Sequence, residues 1–69
     1  CDIILKSKKN QISYILEFKY TKDSSEDLKQ LAKSAIDQIN NRKYDSELSG
    51  TVIRIGLAHY QKNVEIEWQ

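Results

Sequence analysis

Between Ile12 and Tyr20 the chain alternates: Ile12, Tyr14, Leu16, Phe18 and Tyr20 occupy one parity, and Ser13, Ile15, Glu17 and Lys19 the other. Side chains of a strand point in turn to opposite faces, so this segment predicts a strand with one continuous apolar face and one mixed face. The apolar face, with Tyr14, Phe18 and Tyr20, is expected to pack on the core, which argues against those rings as base-stacking platforms. The mixed face is where chemistry can sit. Upstream, Ile3 to Leu5 form a short apolar run and Ser7 to Gln11 a polar link, together predicting an antiparallel hairpin with the long strand.

After Tyr20 the period changes. Lys22 to Ser25 supply a polar break with two ways to cap a helix, since Ser24 is followed three residues later by Asp27, and Asp23 by Glu26. Either choice puts acidic groups near the positive end of the helix dipole. Leu28, Leu31, Ala32, Ala35, Ile36 and Ile39 then recur at intervals of three and four, which predicts a helix reaching Asn40 with one apolar stripe. Asn40-Asn41 and Asp45 to Gly50 are turn-like. Thr51 to Ala58 reads as a strand with apolar residues on both parities (Val52, Ile53, Ile55, Leu57), the mark of an interior strand covered on both faces. Lys62-Asn63 forms a turn into Val64 to Trp68, a half-exposed last strand with Trp68 as a core or interface anchor near the edge. The resulting fold class is α/β: a mixed sheet in the order β-β-α-β-β, with the Leu28 to Ile39 face of one long helix packed across it.

Size and charge narrow the possibilities. A chain of 69 residues buries only about 60% of the surface its unfolded form exposes, enough for one small core. The chain does not begin with Met and reads as part of something longer. Its net charge of +1 excludes a polybasic tail as the main binding device, although Lys6, Lys8 and Lys9 cluster in the first turn and could contact phosphate. The single cysteine, Cys1, excludes an internal disulfide and a multi-cysteine metal site, and no stretch has the length of a signal sequence or membrane span. A reducing, cytoplasmic setting is the expectation.

Candidate chemistry centres on Glu17-Phe18-Lys19. The two charged residues share a strand face, and a further acidic residue, Asp2, opens the preceding apolar segment. Such a set could serve a metal-dependent phosphodiesterase, yet Glu-x-Lys is also common on solvated strands, and spacing alone favours ordinary surface charge. Gln38 lies beside the apolar stripe, which by itself reads as solvent-facing, and His59 at a strand end reads as structural.

Taken together, Asp2-Ile3-Ile4, Tyr14-Ile15-Leu16-Glu17-Phe18-Lys19, the helical Ala35-Ile36-Asp37-Gln38-Ile39 and the following Lys43-Tyr44 resemble the PD-(D/E)XK nuclease superfamily. Ile55-Gly56-Leu57-Ala58-His59-Tyr60, Lys62-Asn63-Val64 and Glu67-Trp68 resemble the closing hairpin of a narrower group: the nuclease-like domain at the C-terminus of bacterial proteins of unknown function that also carry an AAA-ATPase-like domain. The resemblance implies a restriction-endonuclease-like core of helix, three-stranded meander, helix and strand. Residues 1–69 would form its truncated, C-terminal part, with a helix bearing a further acidic ligand and the first meander strand lying upstream. It also implies roles: Asp2 and Glu17 as Mg²⁺ ligands, Lys19 as the catalytic lysine, and Gln38 as a glutamine often present on the helix that follows. Two functions are then expected, Mg²⁺-dependent cleavage of DNA, coupled to an upstream ATPase-like domain, or a noncatalytic interaction or regulatory module that retains the fold.

Overall fold

Hydrophobic periodicity becomes five elements in the computed structural model, which describes residues 2–9, 11–42 and 48–69, Asp2 by its backbone alone. They are β1 (Asp2–Ser7), β2 (Ile12–Tyr20), α1 (Leu28–Arg42), β3 (Thr51–Tyr60) and β4 (Asn63–Trp68). The four strands form one sheet in sequence order. β1 runs antiparallel to β2 and β3 antiparallel to β4, while β2 and β3 are parallel. Parallel neighbours cannot be joined by a tight turn, so the chain crosses over through α1. The expected mixed sheet with one long packed helix is what the chain forms. The helix extends two residues past Asn40, to Arg42, and β3 two residues past Ala58. The resemblance motif Lys43-Tyr44 and part of the turn-like stretch from Asp45 lie outside the described residues.

Neither Ser24 nor Asp23 caps the helix, which starts later, at Leu28, behind Asp27. Its Oδ1 accepts hydrogen bonds from the backbone N–H of Lys29 at 3.0 Å and of Gln30 at 3.4 Å, satisfying donors that a helix start leaves open. The other acidic residues of the break serve the turn before it. Asp23 accepts from both Oγ and N–H of Ser25, and these bonds, the hydroxyl's foremost, hold its carboxyl below the usual carboxylate range. Glu26 accepts from the Thr21 hydroxyl at 2.9 Å. At the opposite end of the sheet, the Thr51 N–H donates to the Gln11 carbonyl at 3.0 Å. Gly50 makes that approach possible with φ +79°, and a Cβ there would stand 2.2 Å from the same carbonyl oxygen.

The helix lies on the face of β2 opposite to the one its apolar run predicts. Ser13, Ile15 and Glu17 are buried, whereas Phe18 and Tyr20 are exposed. Alternation defines two faces without saying which one an element will cover, and here the neighbouring strand decides. On β3, Gly56 and Ala58 are level with Glu17 and Lys19. Their small side chains form a shallow trough that receives Ala32, Ala35, Ile36 and Ile39, all buried. A Cβ on Gly56 would meet the Ala32 carbonyl oxygen at 2.2 Å and the Ala35 and Ile36 side chains at 3.1 Å. The bulkier Ile55 and Leu57 on the other side would hold a helix away. Two further expectations change accordingly. Leu31 is half-buried at the edge of the stripe, and β3, although interior to the sheet, carries the helix on one face only.

The second face is apolar from edge to edge. By register it carries Ile3 and Leu5 of β1, Leu16, Phe18 and Tyr20 of β2, Ile55 and Leu57 of β3, and Val64, Ile66 and Trp68 of β4. Trp68 is 71% exposed, so within the described residues it anchors no core.

Two substitutions test this packing. Gly56→Ala should cost about 1 to 3 kcal/mol, because the added methyl meets helix backbone that a rotamer change cannot move aside. Ile39→Ala, which empties a site 1% exposed, should cost about 2 to 5 kcal/mol. Urea denaturation followed by circular dichroism measures both, and a Gly56→Ala variant as stable as the parent would contradict the close approach.

Candidate active site

Glu17 sits at the middle of a cross-strand row. On one side it is level with Asp2 of β1, and on the other with Gly56 of β3. Residues directly opposite in an antiparallel pair share a face, with Cα atoms about 4.5 to 5.5 Å apart. The register therefore puts positions 2 and 17 side by side on the helix-facing surface. The absent side chain at Gly56 lets α1 descend over the row, and Glu17 is left 1% exposed.

A buried carboxylate needs compensation, and the helix provides a charge. Arg42, the last residue of α1, brings Nη1 to 3.6 Å from Glu17 Oε2, an ion-pair distance too long for a good hydrogen bond. One step along the same face of β2, Lys19 donates from Nζ to Oε1 of Gln38. The two contacts line up for a geometric reason. Four residues of helix advance about 6 Å, and two residues of strand about 6.6 Å. Gln38 and Arg42 are four apart on the helix, Lys19 and Glu17 two apart on the strand, and the helix runs against the strand direction, so both pairs close at once.

The structure thus brings Glu17, Lys19 and Gln38 together, with the backbone position of Asp2 beside them. Gln38 points toward the sheet and is half-buried, unlike the solvent-facing residue its place beside the stripe suggests. Arg42 was not singled out by sequence, because it lies beyond the last apolar residue of the stripe. Its spacing of four from Gln38 was the available signal.

The lysine group is separate. Lys6 is level with Ser13, four residues along β2 from Glu17, or about 13 Å at strand rise. Lys6 and Lys8 line a cavity of about 280 Å³ together with Gln11, Ser13 and Ser49, while Lys9 is exposed in the turn. His59 lies on the opposite sheet face from Glu17, where its ring packs on Tyr20 with centroids 4.7 Å apart.

Among the described residues no three His, Cys, Asp or Glu side chains gather as a metal-binding group. Magnesium does not require three. It retains several waters and is commonly held by one or two carboxylates plus substrate phosphate. The donors available on this row, a buried Glu17 carboxylate with an aspartate opposite it in register, are hard oxygen ligands of the type such an ion takes.

Comparison with known proteins agrees with the architecture. A family model described as the PD-(D/E)XK nuclease superfamily matches residues 1–69, and the chain belongs to that superfamily. No curated protein and no solved structure matches it.

The ion pair makes an asymmetric prediction. Glu17→Gln removes a buried charge and leaves an Arg42 side chain that is 39% exposed and already partly solvated, so stability should change by no more than about 1 kcal/mol. Arg42→Ala takes the opposite charge from a carboxylate that cannot reach solvent and should destabilise by more than Glu17→Gln does. Equal losses in paired thermal melts would mean that Glu17 does not depend on Arg42.

Proposed function

We propose that this member of the PD-(D/E)XK superfamily is a Mg²⁺-dependent DNA-cleaving domain, with Asp2 and Glu17 as metal ligands and Lys19 as the catalytic lysine. The observation that carries the reading is the coincidence, on one sheet face, of the Asp2 position, a buried Glu17 and a Lys19 whose Nζ is held by Gln38. Nothing in sheet packing calls for a buried glutamate in the centre of the helix contact. Its retention there is better explained by chemistry than by stability.

Each residue has a physical task. Glu17 and Asp2 would hold Mg²⁺, which when bound polarises the phosphodiester and lowers the pKa of a coordinated water. Lys19 supplies positive charge where negative charge grows during attack on phosphorus, and is most useful when fixed in advance. Gln38 does the fixing: its carbonyl oxygen accepts from Nζ and keeps the ammonium over the face that carries Glu17. Lys6 and Lys8, about 13 Å away along the strand, are suited to backbone phosphates of the same duplex rather than to the reacting one. Under this reading the domain works in the cytoplasm beside an upstream ATPase-like region of the same bacterial protein. A noncatalytic module of the same fold is the competing reading, favoured by the modest net charge of +1.

Cleavage assays on the intact protein distinguish the two. Asp2→Ala and Glu17→Ala should each abolish divalent-dependent cleavage of duplex DNA, while Lys19→Ala keeps metal binding and loses most turnover, by about 10²-fold or more. Activity that survives loss of both carboxylates would remove them from the chemistry. Binding should be sequence-independent and weaken steeply with salt, and replacing Lys6 and Lys8 with Gln should lower both the affinity and the salt slope on unrelated duplexes. No detectable binding at low salt would favour the noncatalytic module.

A further inference from the structure

We infer that Arg42 is a resident cation at the candidate metal site, holding the charge of Glu17 in the metal-free protein and giving way when a divalent ion arrives. This rests on the metal reading proposed for Asp2 and Glu17. Three observations lead to it. The Glu17 side chain is 2% exposed, so its charge is balanced by protein and not by water. The guanidinium of Arg42 stands 3.6 Å from Oε2, on the carboxylate that the ion would use. Arg42 is also the terminal residue of α1 and 39% exposed in its side chain. Its guanidinium is thus the more accessible of the two cations on this face, whereas Lys19 is engaged by Gln38 beneath the helix.

The charges then set the order of events. A divalent ion and a guanidinium on the same carboxylate repel, and in a site from which water is largely excluded that repulsion is stronger than at a surface. Binding of the ion is an exchange in which Mg²⁺ enters and Arg42 leaves. The exchange weakens the apparent metal affinity but keeps Glu17 in place, charged and buried, when no metal is present. It also selects for charge: a monovalent ion offers the carboxylate no more than Arg42 already does.

The test measures metal binding without DNA. Mn²⁺ titrations followed by electron paramagnetic resonance would be run on the intact protein, on Arg42→Gln, on Glu17→Gln and on the double variant, with melting temperatures taken in chelator. Arg42→Gln should bind Mn²⁺ roughly tenfold more tightly, a change of about 1.4 kcal/mol, and melt at a lower temperature without metal. In the Glu17→Gln background the same replacement should no longer raise Mn²⁺ affinity. If Arg42→Gln binds with parental or weaker affinity while Glu17→Gln loses binding, the metal site stands and the exchange is overturned. If no protein in the set binds Mn²⁺, the metal reading fails and the exchange fails with it. A measurement on the unaltered protein guards against a variant that does not fold: the Arg42 side-chain Nε–H resonance should shift in step with Mg²⁺ saturation, and a resonance that stays fixed at saturation overturns the proposal.

Discussion

Everything at the candidate site depends on how near α1 comes to the sheet at Gly56. The helix backbone at Ala32 lies where a Cβ would otherwise be. That contact sets the height of the helix over β2, and so whether Gln38 reaches Lys19 and Arg42 reaches Glu17. A methyl group at this point, 2.2 Å from the Ala32 carbonyl oxygen, forces the helix away from a row whose ion pair already stands at 3.6 Å. Side chains cannot make up the difference independently, because the two contacts are made by residues one helical turn apart on a rigid rod.

The same contact explains why the polar face became the inner one. A rule of apolar residues inward would cover Leu16 and Phe18, yet the aliphatic residues beside them on β3 and β4 make that surface bulky. The glycine and alanine surface packs a helix more closely, and dense packing with small residues yields contacts that a looser apolar pairing does not. The fold accepts a glutamate in its centre as the consequence, with arginine held against it. Burying an ion pair rarely adds net stability.

Much of this was legible in the chain. Period two over Ile12 to Tyr20 and period three to four over Leu28 to Ile39 define the elements, and the short Ser7 to Gln11 link defines the hairpin register that sets Asp2 opposite Glu17. Two things were not legible. The inward face of β2 depends on which residues of β3 lie level with it, and a parallel register across a long crossover is not written in either strand alone. The role of Arg42 was hidden for a related reason: the apolar stripe ends at Ile39 and Asn40-Asn41 read as turn-like, which puts Arg42 beyond the helix, whereas it is the last helical residue and pairs with Glu17. Gln38 was found through family resemblance, since its polar side chain carries no periodic signal.

The order of connection along the chain has a kinetic consequence. β1 and β2 are joined by a short turn, so the acidic row can assemble through local contacts, while the helix that roofs it docks through a crossover and closes a larger loop. In the reverse direction the roof has the most to lose, since α1 supplies four of the six buried apolar residues among those described. Detachment of α1 opens the whole core, so Glu17 returns to water at a free energy close to that of global unfolding. Backbone amides of α1 should then exchange with solvent about as slowly as those of β2 and β3, roof and floor opening as one unit.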